Sequence, residues 1–493
     1  MTTAYDRLVE CFARLGALQE ASEILGWDRE TMMPQGGAEG RAGQLAALEL
    51  VCHGMLTGAD VADLLDAADA QDGLGAAERA NLAAMRREWR QATAVPSDLV
   101  GALSHATSAA QQVWLQARPA GDFVAFRPAL AEVLNLTRQA AQAKAEAGAT
   151  SPYDALIDDY DPGLTQARID PLFDRLGDVL PSILDDVRRR QAEPLALAGP
   201  FSIERQRELG LKLMAAVGFD FSRGRLDVSA HPFTGGTPAD VRITTRYDEA
   251  DFTSGMMAVM HETGHALYKQ GLPEAWHGQP AGRAISMTIH ESQSLLIEMQ
   301  VSRDVMFLEF AAPLMREAFG GEGPAWQVEN LARLAGWVEP DFIRVEADEI
   351  TYPLHIILRY RLEKALLAGD LAVADLPGAW NDGMQEVLAI RPPDDRVGCL
   401  QDIHWAHGLF GYFPTYTLGA LAAAQLFRAA RAAIPHLAEH VRSGDFAPLL
   451  AWLRSNVHKW GSLATSEEIV ERATGSQLGT AAFEAHLQER YGG

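Results

Sequence analysis

The chain has few cysteines and no long apolar run. Its three cysteines, Cys11, Cys52 and Cys399, lie far apart and are odd in number. This pattern predicts reduced thiols and argues against a disulfide framework or a CxxC metal site. The best apolar stretch, at 418–427, is about half of the roughly 18 residues that a membrane-spanning helix needs. We therefore expect no membrane span.

Basic residues are also scarce relative to acidic ones. The sequence holds 42 lysines and arginines against 66 aspartates and glutamates, a formal net charge of −24. This excess of negative charge produces an electrostatic field that repels phosphate backbones and anionic lipid surfaces, so we expect neither nucleic acid nor a membrane as partner. Residues 1–18 lack the basic start and the uninterrupted apolar stretch of a signal peptide, which predicts a cytoplasmic protein.

Apolar periodicity indicates a mostly α fold. Three- and four-residue apolar spacing predicts helices, for example at 99–117 and 126–147. Residues 226–247 break this pattern with a Gly/Pro turn followed by β-branched residues, which predicts a small β element. We expect a single unit over 1–493, with a helical amino-terminal part at 1–220 and the metal-site and groove part at 221–493.

The motif His261-Glu262-Thr263-Gly264-His265 carries the clearest chemical signal. In a helix, His261 and His265 lie one turn apart on the same face, so both imidazoles can bind one ion. Glu262 lies beside them, where it can accept a proton from water. Capping by Asp251 or Thr253 at the start, and Gly271 at the end, support a helix here.

A third metal ligand is expected from a second helix, at about 284–306. Catalytic zinc commonly takes two histidines, one glutamate and water. Glu291 and Glu298 both lie on this helix two turns apart, so either can face the same partner. The spacing alone does not decide which of the two glutamates is the third ligand. Once Glu291 is assigned, a solvated or salt-bridged carboxylate is the favoured interpretation of Glu298.

The sequence resembles the carboxypeptidase Taq type metallocarboxypeptidases, peptidase family M32. Five motifs appear in the family's order and without a substitution: DxRxT at 240–244, HExxH at 261–265, HESQ at 290–293, IRxxAD at 343–348 and GxxQDxHW at 398–405. Further stretches look similar at 27–34, 153–165 and 469–475. The likeness therefore spans essentially the whole chain.

This resemblance implies a function, a metal and an assembly. It implies that His261, His265 and Glu291 bind a divalent ion, with Glu262 as the general base that activates metal-bound water against the scissile carbonyl. We expect zinc, although the same ligands also accommodate cobalt or manganese. The family's fold is mostly helical with a deep groove, and its members are commonly homodimers. Its reaction is the removal of single residues from free peptide carboxyl termini with broad specificity.

The reaction also needs a donor to the developing oxyanion and a group that recognises the terminal carboxylate. Tyr416 is the first candidate for the donor and His407 the second, with Tyr412 as the alternative tyrosine. Arg242 and Arg344 are the candidates for the carboxylate.

Each arginine has an alternative role. Arg344 can simply pair with Asp348 on a helix. Arg242 lies in the segment from Asp240 to Thr244, whose alternative interpretation is an edge strand that pairs with the substrate backbone.

Outer partners of the metal ligands are less defined by the sequence. A ligating imidazole donates its other N–H to an acceptor, and Asp348, Glu349 and Asp402 are available carboxylates. His404 and Gln293 are further candidates for this second layer. Pro353 falls inside a predicted helix at 343–367, where a kink is expected.

Two other functions remain open at this point. An endopeptidase or a dipeptide-releasing oligopeptidase would use the same zinc chemistry. A non-catalytic helical scaffold with a vestigial site is the third hypothesis. The presence of the base Glu262 and of all three metal ligands argues against the scaffold.

Overall fold

The structure is a computed structural model, and it describes residues 2–148 and 150–492. Within these ranges helices form most of the protein. They are α1 (Ala4–Thr31), α2 (Ala38–Leu56), α3 (Ala59–Asp69), α4 (Ala76–Ala94), α5 (Ser97–Ala120), α6 (Phe123–Gly148), α7 (Pro152–Asp158), α8 (Gln166–Arg190), α9 (Ile203–Val217), α10 (Phe252–Gly271), α11 (Met287–Leu295), α12 (Val305–Phe319), α13 (Val328–Ala335), α14 (Thr351–Ala368), α15 (Leu376–Leu388), α16 (Pro414–Ala433), α17 (Leu437–Arg442), α18 (Ala447–Asn456), α19 (Ser466–Thr474) and α20 (Ala481–Tyr491).

A three-stranded sheet lies between α9 and α10 in the chain. Its strands are β1 (Gly224–Val228), β2 (Phe233–Thr237) and β3 (Asp240–Thr245), in the order β1-β3-β2. β3 pairs parallel with β1 and antiparallel with β2. The predicted fold class, mostly α with a small β element beside the HExxH helix, is confirmed.

The helix α10 begins and ends where the sequence indicates. The Asp251 side chain accepts a hydrogen bond from the backbone N–H of Thr253, and the helix ends at Gly271. Its buried side includes Met256, Met260 and Leu267, and it packs against α9, α11 and the sheet. The predicted helices at 99–117 and 126–147 correspond to α5 and α6.

Two predicted helices differ from the structure. The segment predicted at 284–306 is helical from Met287 to Leu295 and then continues as a π-helix, Leu296–Ser302. The helix predicted at 343–367 begins at Thr351, after a 3₁₀ turn at Arg344–Glu346. Pro353 therefore lies in the first turn of α14, where its missing N–H interrupts no intrahelical hydrogen bond. The reason for predicting a kink at Pro353 is thus removed.

The chain forms two compact units that alternate along the sequence. The first unit comprises Met1–Ala92, Glu193–Ala335 and Gly419–Leu478, and the second comprises Thr93–Ala192, Gly336–Leu418 and Gly479–Gly493. The division at residue 220 stays a prediction. Among the described residues no single helix is long and apolar enough to cross a membrane; one bent pair, Gln35–Leu56 with Ala59–Asp69, passes that test by length and composition alone.

Candidate active site

The first unit brings together the three predicted metal ligands. Nε2 of His265 lies 3.4 Å from Oε2 of Glu291, and Nε2 of His261 lies 4.0 Å from the same oxygen. An ion with tetrahedral bonds of about 2.0–2.2 Å separates its ligand atoms by roughly 3.3–3.5 Å. The three side chains therefore fit a zinc-sized ion with small adjustments of the His261 ring.

A close approach of α10 and α11 gives Glu291 its position. A Cβ on Gly264 would lie 2.6 Å from the Cα of Ser294, so only glycine allows this separation. Similarly, a Cβ on Gly419 would lie 2.7 Å from the Cβ and Cγ of Glu291. Glycines thus make room for the third ligand on two sides.

Nδ1 of each predicted ligand imidazole already has a partner, which leaves Nε2 available for an ion. Nδ1 of His261 lies 2.9 Å from Oε2 of Glu298. Nδ1 of His265 lies 3.0 Å from the carbonyl oxygen of His290 and 2.6 Å from Nδ1 of the His290 ring. Such partners fix the tautomer and the orientation of a metal-binding histidine.

The charges of the site are coupled. Burial opposes the charged form of His261, but Glu291, Glu298 and Glu262 outweigh burial and raise the pKa of His261 to about 10. Burial raises the pKa of Glu291, yet His261 and His265 lower it more, so its net shift is downward. A cation therefore suits this place, and the neutral imidazole of His261 would be the form that holds a metal ion.

Glu298 is a salt-bridged carboxylate, as the favoured interpretation of the sequence has it, but its contact with the predicted ligand His261 was not foreseen. It is buried, and its Oε1 accepts a hydrogen bond from Nη2 of Arg303 at 2.7 Å while Oε2 faces His261. Although burial disfavours its charge, Arg303 and His261 lower the pKa of Glu298 to about 2. Its spacing of two turns from Glu291 was the available signal, because both carboxylates face the same imidazole.

The carboxylates proposed as outer partners of the ligands were the wrong ones. Glu349 pairs with His486 at 2.8 Å and with Arg490, and Asp348 accepts from the backbone N–H groups of Ile350 and Thr351 at the start of α14. The roles predicted for them belong to Glu298 and to the His290 carbonyl. Local helix capping occupies Asp348, whereas pairing with two distant residues on α20 occupies Glu349.

Asp402 is also occupied, by two arginines of the second unit. Its Oδ1 accepts from Nε and Nη2 of Arg344 at 3.1 and 3.0 Å, and Oδ2 accepts from Nε of Arg359 at 2.6 Å. The predicted alternative pair of Arg344 with Asp348 is therefore wrong. Arg344 precedes α14 rather than lying on it, so the two are not on one helical face.

Two further outer-layer candidates have other partners. Oε1 of Gln293 lies 3.0 Å from Nε2 of His458, and Nε2 of Gln293 donates to Ser292 Oγ at 2.9 Å. Nε2 of His404 lies 3.1 Å from the hydroxyl of Tyr416. Burial, reinforced by nearby arginines and opposed by Asp402, lowers the pKa of His404 to about 3, so this imidazole is neutral.

The DxRxT segment is the central strand of the sheet and not an edge. β3 pairs on both sides, and the Thr244 side chain is fully buried, where its hydroxyl accepts from Ser229 Oγ and the Phe233 N–H. The predictions that 240–244 form an edge strand and that Thr244 contacts substrate are therefore wrong. The edge positions belong to β1 and β2.

Arg242 has close partners of its own. Its Nε and Nη2 donate to the two oxygens of Asp240 at 3.0 and 2.7 Å, and its guanidinium stacks 4.2 Å from the centre of the Trp27 ring. Any role in binding a terminal carboxylate competes with Asp240. The substrate roles of Asp240 and Arg242 stay predictions.

The candidate oxyanion donors lie in the second unit. The rings of Tyr412 and Tyr416 meet edge to face with centroids 5.3 Å apart, and the Arg344 guanidinium lies 4.8 Å from the centre of the Tyr416 ring. His407 lies in a short turn, where its N–H donates to the carbonyl of His404 at 3.1 Å. Their catalytic roles stay predictions.

The helical fold and the His-His-Glu group on two adjacent helices define a metallopeptidase of the HExxH class. Residues 7–491 match the model of the carboxypeptidase Taq (M32) metallopeptidases. Thermostable carboxypeptidase 1 of Thermus thermophilus is 40% identical, with 99% of this chain and 98% of that protein covered. Carboxypeptidase 1 of Bacillus subtilis is 34% identical, with 97% and 96% covered.

A solved structure agrees with these sequence relatives. Metallocarboxypeptidase 1 of Trypanosoma cruzi superimposes with a TM-score of 0.97 at 38% identity, and 99% of each chain is covered. The chain belongs to the carboxypeptidase Taq (M32) metallopeptidase family. The predicted enzyme class, a peptide hydrolase that acts as a metallocarboxypeptidase, is confirmed.

Proposed function

We propose that this enzyme removes single residues from the free carboxyl termini of peptides with broad specificity, with Glu262 as the general base. The observation that carries the proposal is the place of Glu262. It follows His261 on α10, next to the ligand group, and its carboxylate is buried. A base in this position can serve water held beside the three ligands.

The chain's residues have distinct tasks in this proposal. A divalent ion, when bound, supplies Lewis acidity that polarises a carbonyl oxygen and acidifies water. Glu262 accepts a proton from water as the hydroxide part of that water adds to the carbonyl carbon. The C–N bond then breaks, and Glu262 passes the proton to the leaving amine nitrogen. We propose Tyr416 as donor to the oxyanion, with His407 and Tyr412 as alternatives.

Arg344 is our leading candidate for recognition of the terminal carboxylate. Arg344 and Arg359 share one buried carboxylate, Asp402, so this cluster carries one positive charge in excess. A buried excess charge favours an anionic partner. The resemblance further supports zinc as the metal and a homodimer as the assembly, and the three free cysteines fit a proposed cytoplasmic location.

A peptide ladder followed by mass spectrometry tests the reaction. We expect stepwise loss of single residues from the carboxyl end, abolished when that end is amidated. Internal fragments or released dipeptides would instead support an endopeptidase or an oligopeptidase, and would contradict the proposal.

The role of Glu262 has its own test. Glu262→Gln should retain the metal and lose most turnover, because an amide cannot accept the proton. Glu274→Gln, the same change at an exposed residue beyond α10, is the matched control and should behave as wild type. Equal activity of Glu262→Gln and wild type would reject the assignment.

A further inference from the structure

The carboxylate of Glu262 receives a hydrogen bond from the neighbouring strand. The hydroxyl of Thr234, on β2, lies 2.7 Å from Oε2 of Glu262 and 3.0 Å from the backbone carbonyl oxygen of the same residue. Hydrogen bonds to an ionised carboxylate are among the stronger ones in proteins. We propose that Thr234 is a positioning residue that holds the general base for proton transfer, an inference that rests on the proposed role of Glu262.

The position of Thr234 is fixed by the strand that carries it. β2 pairs with β3 so that Thr234 stands opposite Ile243. Nζ of Lys269 donates to the carbonyl oxygen of Gly236 at 2.8 Å. β2 is therefore tied to α10 at two places, Glu262 and Lys269, two helical turns apart. A β-branched residue in a strand has a restricted χ1, so the hydroxyl has little freedom.

The hydroxyl can serve both protonation states of Glu262. Thr234 has one proton to donate and can also accept. With Glu262 ionised, the hydroxyl donates to Oε2. With Glu262 protonated, it can donate to the backbone carbonyl and accept from the carboxyl group. No proton passes through Thr234, and the carboxyl keeps its partner on both sides of the transfer.

Holding one oxygen leaves the other for the reaction. Within residues 2–148 and 150–492, Oε2 of Glu262 has the Thr234 hydroxyl, whereas no hydrogen bond to Oε1 is present. A flexible carboxylate would have to be ordered in every turnover, and a displacement of about 1 Å in a catalytic group can cost roughly 100-fold in rate. By holding Oε2, Thr234 thus leaves Oε1 available to accept the proton.

Three variants test this inference. Thr234→Val removes the hydroxyl but keeps the β-branched shape, and should lower kcat by about tenfold or more while KM and metal content stay near wild type. Thr234→Ser keeps the hydroxyl and should restore most of kcat. Thr237→Val makes the same change at the end of the same strand, where the hydroxyl accepts from the Asp240 N–H, and should leave kcat near wild type.

A double variant and a structure separate this inference from the proposed function. If Thr234 acts through Glu262, Thr234→Val should add no further loss to Glu262→Gln. A crystal structure of Thr234→Val should show the Glu262 carboxylate displaced or in several conformations.

Each contrary result has a distinct meaning. Wild-type kcat in Thr234→Val, with Glu262→Gln inactive, would overturn the role of Thr234 alone. The same holds if Thr234→Ser is as slow as Thr234→Val, or if Thr234→Val loses its metal. An active Glu262→Gln would instead remove the proposed function itself.

Discussion

Glu298 provides the sharpest test of how the protein prepares its metal ligands. Its carboxylate lies between His261, at 2.9 Å from Nδ1, and Arg303, at 2.7 Å from Nη2. Glu298→Ala removes the acceptor that orients the imidazole and holds its tautomer. We expect metal affinity to fall without the loss of any direct ligand.

The expected loss of metal affinity follows from the role of Glu298 as an outer partner of a metal ligand. Loss of such an outer partner typically weakens metal binding about 10- to 100-fold, which corresponds to about 1.4–2.7 kcal/mol. Glu298→Gln keeps an oxygen that can accept from Nδ1–H of His261, so its loss should be less than about tenfold. The free energy of unfolding of Glu298→Ala should also fall, because Arg303 is largely buried and loses its carboxylate.

Zinc affinity measured by competition with a chelating indicator gives the result directly. Glu309→Ala, which removes a carboxylate from an exposed pair with Arg442, is the matched control and should bind zinc as wild type does. Unchanged zinc affinity in a folded Glu298→Ala variant would refute the reasoning that Glu298 orients His261.

Three further predictions concern packing, pH and substrate. In Gly264→Ala the added methyl group would meet Ser294 and should push α11 away from α10. The melting temperature of the metal-free protein and the zinc affinity should therefore both fall. An unchanged melting temperature would contradict the close approach of the two helices. Burial, opposed by hydrogen bonds from Tyr153, Gly411 and Trp405, raises the pKa of Glu363 to about 7 from an ordinary 4.5. The contribution of protonated Glu363 to the free energy of unfolding is therefore complete below about pH 4.5 and is lost as pH rises through 7. In urea unfolding, wild type should lose about 3 kcal/mol relative to Glu363→Gln between pH 4.5 and 8, and parallel pH profiles would refute this. Arg344→Ala should raise KM for peptides with a free terminal carboxylate but leave the inhibition constants of amidated peptides, which are not cleaved, near wild type. Equal weakening of both would remove Arg344 from the binding role.

Local signals in the sequence predicted the helix of the metal site well. The cap at Asp251, the spacing of His261 and His265 and the stop at Gly271 all act within one helix, so they can be read without tertiary knowledge. The same holds for the short β element after the Gly/Pro turn. Strand order is different, because it depends on which segments pair in space, and β3 proved to be central.

Partners distant in sequence were harder to predict. Asp348 ends a family motif and Glu349 follows it, yet local capping at Thr351 occupies Asp348, and pairing with the distant residues His486 and Arg490 occupies Glu349. Thr234 gave no signal at all, since a threonine in a strand is ordinary. Its role becomes visible only when β2 and α10 are placed side by side.

The central claim is that His261, His265 and Glu291 hold one divalent ion. Anomalous diffraction at the zinc absorption edge from crystals of the zinc-loaded enzyme tests it most directly. We predict one strong peak about 2.0–2.2 Å from Nε2 of both histidines and from a carboxylate oxygen of Glu291. A zinc peak elsewhere, or one that Glu291 does not reach, would contradict the account.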